Sequence, residues 1–151
     1  MNVRKIVSGG QTGVDRAALN TAMLLGVPCG GWCPKGRRAE DGVIPGSYPL
    51  QETDVADYAV RTRKNVEDSD GTLILTWGPA EGGTALTIAL AKKLGKTHMV
   101  VDLAARPSTA QVKAWLQREG VGTLNVAGPR ASTFPEVGGH TRQYLQSLLA
   151  N

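Results

Sequence analysis

Aromatic residues are scarce in this chain, only 5% of 151 residues, with a single phenylalanine. That shortage argues against a stacking platform for single-stranded nucleic acid. There are two cysteines, Cys29 and Cys33, and no second Cys or His pair to complete a zinc site; they read as structural thiols. No apolar run approaches the ~18 residues of a membrane span. Met1-Asn2-Val3-Arg4-Lys5-Ile6 enters an apolar run directly, without the long apolar stretch of a secretory signal, so the expected location is the cytoplasm. Charge of one sign is also limited. Seventeen Lys+Arg against thirteen Asp+Glu leave +4, and no basic run exceeds two adjacent residues, which argues against a nucleic-acid surface.

Glycine is what the chain has in excess. Nineteen of 151 residues is nearly double the usual ~7%, and without a repeat it means tight turns or backbone that a ligand approaches closely. A length near 150 suits one domain, so residues 1–151 are read as a single unit with one core.

Strand-like and helix-like stretches alternate. Strands are expected at Val3–Ser8, Val27–Trp32, Gly71–Trp77, Thr97–Leu103 and Gly122–Ala127. Helices are expected at Val14–Leu25, Ala56–Val66, Thr84–Leu94, Ser108–Glu119 and Gly139–Leu149, most closed by a glycine. Thr72-Leu73-Ile74-Leu75-Thr76 reads as a strand buried on both faces. The alternation predicts an α/β layer fold on a mostly parallel sheet of about five or more strands. Ligands in such sheets sit beyond the carboxyl ends of the strands, and the glycines gather there. Gly9, Gly10 and Gly13 follow the first strand, Gly78, Gly82 and Gly83 the third, and Gly128 the fifth. Pro34–Leu50 has three prolines, three glycines and no regular period. It is too long for a routine connector and reads as either a disordered insertion or, as its prolines and dense charges favour, an ordered functional loop.

Ser8-Gly9-Gly10-Gln11-Thr12-Gly13-Val14-Asp15-Arg16 joins a strand to a helix. Free N–H groups and the helix dipole there favour an anion, to which Gln11 and Thr12 add donors. A tight turn with permissive glycines is the plainer alternative. Asp15 favours the dipole. Gly78-x4-Gly83 has the glycine spacing of a nucleotide P-loop, but Thr84 replaces its lysine, which argues against a nucleoside-triphosphate hydrolase. Gly82-Gly83-Thr84 offers N–H groups and a hydroxyl to a phosphate, or simply caps a helix. Arg130, just past a strand end, has the position of an anion clamp. Arg61 and Arg63 fall on a helix whose solvated face is their default place, and His98 and His140 read as structural.

Taken in order, these strings resemble one family. Ser8–Asp15, Pro34–Gly42, Tyr48-Pro49-Leu50, Glu52-Thr53, Arg61-Thr62-x-x-Asn65-Val66-x-x-Ser69-Asp70, Gly82-Gly83-Thr84 and Asn125–Arg130 together look like the molybdenum-cofactor carrier family. That family is similar to the Rossmann-like superfamily that includes LOG enzymes and DprA. The resemblance covers roughly residues 5 to 135. It implies a three-layer Rossmann-like fold, a homo-oligomer (dimer or tetramer), and binding of molybdenum cofactor (molybdopterin) as cargo, with no catalytic metal. Carried over by motif, the ligand contacts are Gly9, Gly10, Gln11, Thr12, Gly13, Lys35, Arg63, Gly82, Gly83, Thr84 and Arg130. Apolar helix positions such as Ala85, Ile88, Ala89, Leu145, Leu148 and Leu149 are either subunit contacts or ordinary core. LOG enzymes resemble Pro-Gly-Gly-x-Gly-Thr-x-x-Glu, and here Thr87 stands at the glutamate position. A LOG-like phosphoribohydrolase would need Glu81, Glu40 or Asp41 as a substitute carboxylate. A nucleotide-sensing module is a further alternative.

Overall fold

The computed structural model describes residues 2–150. Its elements run β1 (Lys5–Val7), α1 (Val14–Leu24), β2 (Cys29–Gly30), β3 (Trp32–Cys33), β4 (Arg38–Ala39), β5 (Gly42–Val43), β6 (Gln51–Glu52), α2 (Tyr58–Glu67), β7 (Gly71–Thr76), α3 (Gly82–Lys93), β8 (His98–Asp102), α4 (Ala110–Glu119), β9 (Thr123–Ala127) and α5 (Val137–Leu149). A short 3-10 turn at Leu103–Ala105 follows β8. Five strands form one parallel sheet in the order β2-β1-β9-β7-β8. This is the α/β layer architecture that the alternation predicts, in the three-layer, Rossmann-like form that the resemblance implies.

Side-chain alternation on the central strands separates the two outer layers. Leu73 and Leu75 of β7 share a core with Val14 and Ala18 of α1, Trp115 and Leu116 of α4, and Leu145 and Leu148 of α5. Ile74, also fully buried, points to the opposite face, where α3 packs on β7 and β8 and meets α2. Because β7 is buried at every position, its run of apolar and threonine residues lacks a polar face. Leu145 and Leu148 are thus core. Ala85 and Ala89 are exposed on α3, and Ile88 is half-buried.

The strand order carries information that the sequence alone did not. If β9 and α5 preceded β1, the sheet would read 3-2-1-4-5, the order of a doubly wound nucleotide-binding sheet. The point where such a sheet reverses direction falls between β9 and β7, where a crevice opens at the carboxyl ends.

The expected second strand, Val27–Trp32, is two short strands in different sheets. Cys29–Gly30 pairs with β1, whereas Trp32–Cys33 pairs with β6. Between β3 and β6 the long loop is ordered. It contains the small β4–β5 hairpin and is organised by Arg37, which donates to the carbonyls of Ile44 (3.0 Å), Pro45 (2.6 Å), Tyr48 (3.0 Å) and Leu50 (3.4 Å). Ile44 is fully buried and, with Leu50, lies against Gly10.

Candidate functional site

A cleft of about 570 Å³ lies at the carboxyl ends of β1, β7 and β9, where the sheet reverses. The turn after β1 contributes Gly9, Gln11 and Asp15; α2 contributes Tyr58, Arg61 and Asn65. The β7–α3 segment contributes Trp77 and Glu81–Thr84, and the turn after β9 contributes Gly128 and Arg130. Each of the three glycine clusters expected to converge on one crevice contributes to it, through Gly9, Gly82 with Gly83, and Gly128.

Residue by residue, the motif-based set divides. Gly9, Gln11, Gly82, Gly83, Thr84 and Arg130 line the cleft. Gly10 packs on Ile44 and Leu50, and Gly13 lies against the backbone of Pro129–Ala131. Thr12 donates to Glu40 and accepts from the Ala131 N–H at 3.1 Å. Lys35 is exposed on the long loop. Arg63 points away from the cleft, half-exposed, and pairs with Glu67 one turn along α2 at 2.9 Å.

Arg61, not Arg63, is the arginine that α2 turns into the cleft. It is 8% exposed and donates to the Gly9 carbonyl at 2.9 Å, with Asp15 at 3.5 Å. Gly9 permits this approach, since a Cβ there would lie 2.1 Å from the Arg61 Nη1. Its guanidinium also sits over the Tyr58 ring at 5.3 Å, and Arg130 approaches the same ring at 5.7 Å. Tyr58 thereby positions two cations at the cleft. The available sequence signal was the Arg61/Asn65 spacing of one helical turn, which places both on one face of α2. Asn65 holds β3 through the Trp32 N–H at 2.8 Å and carbonyl at 3.0 Å.

Asp15 does more than complement a helix dipole. It is buried, and burial pushes its carboxyl above the ordinary value despite the opposing pull of Arg61. Gln11 is 4% exposed. Its Oε1 accepts the N–H groups of Thr12 at 3.1 Å and Glu40 at 2.8 Å, while its Nε2 is buried with no acceptor among the described residues. Behind the cleft Trp77 stacks on Phe134 at 4.4 Å, with His140 at 4.5 Å.

The candidate substitute carboxylates are separated by the fold. Glu40 and Asp41 lie outside the cleft lining: Glu40 bonds Thr12 and Ser132, and Asp41 bonds Arg16 at 2.5 Å. Glu81 lines the cleft at the start of α3. Thr87, at the LOG glutamate position, donates to the Gly83 carbonyl at 3.0 Å. Among the described residues no cluster of three His, Cys, Asp or Glu side chains could hold a metal ion, and no helix is long and apolar enough to cross a membrane.

Comparison with known proteins agrees with this geometry. A crystal structure described as a putative molybdenum carrier protein, from Syntrophus aciditrophicus SB, shares 46% sequence identity with this chain. It superposes with a TM-score of 0.93, covering 98% of this chain and 96% of that one. No curated protein matches. The model of the circularly permutated YpsA SLOG family matches residues 6–149. Permutation is what the strand order displays, with the first strand of a doubly wound sheet placed last in the chain. The chain therefore belongs to the circularly permutated YpsA family of SLOG proteins.

Proposed function

We propose that this protein binds and carries a small phosphorylated or oxyanionic ligand in the β1–β7–β9 cleft, with molybdenum cofactor, or a related molybdenum or tungsten oxyanion, as its cargo. The observation that carries this reading is the donor excess. Gln11 holds a buried N–H without an acceptor, in a cleft that also presents Arg61, Arg130 and the Gly82-Gly83-Thr84 turn. Buried donors without acceptors are costly, and an anion supplies the missing acceptor. A pterin carrying a phosphate and an oxo-metal centre suits this donor set and a cleft of about 570 Å³. The similar protein described as a putative molybdenum carrier supports the same cargo class.

Equilibrium titration with molybdate, tungstate and molybdopterin tests the reading. Binding should be saturable, and Arg130→Ala or Thr84→Ala should weaken it about tenfold, the scale of one charge-assisted hydrogen bond. Absence of binding at micromolar concentrations of all three would sink it.

One observation favours a second reading, nucleotide phosphoribohydrolysis: Glu81 is a carboxylate in the cleft lining. Release of free base from a nucleotide panel, abolished by Glu81→Gln, would put that reading first. A homo-oligomer would use the exposed apolar face of α3, where Ala85, Leu86 and Ala89 lie open; sedimentation of a Leu86→Glu variant tests this.

A further inference from the structure

The loop between β3 and β6 delivers an acid to the edge of the cleft, where hydroxyl and backbone N–H donors receive it. Glu40 is exposed, so burial does not place it there. Its carboxylate accepts the Thr12 hydroxyl, the Ser132 hydroxyl at 2.6 Å and the Ser132 N–H at 3.1 Å. Desolvation opposes ionisation, but the bonds from Ser132 and Thr12 and the Arg130 charge outweigh it and hold the carboxyl below its ordinary value. Two hydroxyls, a backbone N–H and a nearby guanidinium form a cradle for a tetrahedral oxyanion. A planar carboxylate brings only two oxygens to it.

Gln11 supplies an independent observation. Both neighbours of its Oε1 are N–H donors, one of them Glu40's own N–H, which fixes the orientation of the amide. Its Nε2 is then a buried donor, in a cleft-lining residue, without an acceptor among the described residues. Elsewhere the loop is secured without Glu40, by the four carbonyl bonds of Arg37 and by the Asp41–Arg16 pair.

We propose that Thr12, Ser132 and Arg130 form an oxyanion subsite at the rim of the cleft, and that Glu40 is its internal competitor. An incoming phosphate-like dianion displaces the Glu40 carboxylate, takes over the Ser132 N–H and the two hydroxyls, and gives Gln11 an acceptor. Arg37 and Asp41 keep the loop folded while its tip lets go. The proposal deepens the anion-binding reading of the cleft, on which it rests for the role of Arg130.

Calorimetric titration with inorganic phosphate tests it. Glu40→Gln removes the charge and keeps the shape, and it should bind phosphate about tenfold more tightly than the unaltered protein. Glu40→Asp, too short to span the cradle, should gain in the same direction and serves if Glu40→Gln fails to fold. Adding Ser132→Ala should abolish the gain, and phosphate should speed hydrogen exchange at the Glu40 N–H of the unaltered protein. Equal or weaker phosphate binding by the folded Glu40 variant, or a gain that survives Ser132→Ala, overturns the proposal. A gain for phosphate without molybdate or molybdopterin binding removes the cargo and leaves the subsite standing. Cofactor binding with no gain in the Glu40 variants overturns the subsite alone.

Discussion

Gly128→Ala should destabilise the protein by about 3 kcal/mol or more, among the larger effects of a single added methyl group. The residue follows β9 at the point where the sheet reverses, and a Cβ there would lie 2.2 Å from the Leu75 carbonyl oxygen and 2.6 Å from the Val14 Cγ2. Neither neighbour yields cheaply. The carbonyl belongs to the fully buried central strand β7, and Val14 opens α1 with no exposure. Relief must come from moving the β9 turn outward, which also shifts Gly128 and Arg130 in the cleft wall. For a chain of this length that cost lowers the melting temperature by roughly 6–12 °C. Gly46→Ala is the matched control. Nothing lies within 4 Å of a Cβ there, so the change should be neutral or stabilise by up to about 1 kcal/mol through the unfolded chain. Melting curves for both variants decide the matter, and a Gly128→Ala protein that melts with the parent would show that the β9 turn is slack.

The same crowding explains how far the sequence could be read. Strand–helix alternation predicts the layers because each element must hide its own apolar stripe, and that is local information. Gly128 after a strand likewise marks a strand end from sequence alone. Which strand lies beside which is set by contacts far apart in the chain, so the pairing of β9 with both β1 and β7 is not written in any short window. Ser132 and Glu40 bond across 92 residues, and Asp41 pairs with Arg16 across 25. No spacing rule links such positions. The Val27–Trp32 apolar run gave no sign that its two halves pair with different strands.

Arginine placement on α2 shows the limit at its narrowest. Arg63 lies two positions after Arg61, about 200° around a helix, which is enough to send one into the cleft and the other to solvent. The motif-based choice fell on Arg63, and a solvated helix face was the expected place of both arginines. What distinguishes them is the buried Asp15 opposite Arg61, 46 positions earlier in the chain.

That pair yields a further large effect. Arg61→Met should cost about 3–5 kcal/mol at neutral pH, because it strips the cation from a buried carboxylate and leaves the charge uncompensated. Arg63→Ala, which breaks only a half-exposed pair with Glu67, should stay within about 0.5 kcal/mol. The pH dependence follows from Asp15, whose carboxyl burial already raises. Loss of Arg61 raises it further. An acid whose folded pKa exceeds its unfolded one holds its proton more tightly when folded. Its contribution is therefore fully present below the ordinary carboxylate range and is lost as pH climbs through the raised value. The deficit of Arg61→Met should accordingly be smallest in acid and grow toward neutral pH. Asp15→Asn in the same chain should recover most of it, since an amide fills the site with no charge to desolvate. Urea unfolding of the two single variants and the double variant across this pH range measures the coupling. A deficit independent of pH, or one that Asp15→Asn leaves unchanged, would mean that Arg61 acts by packing on Tyr58 and bonding Gly9 rather than by holding a buried charge.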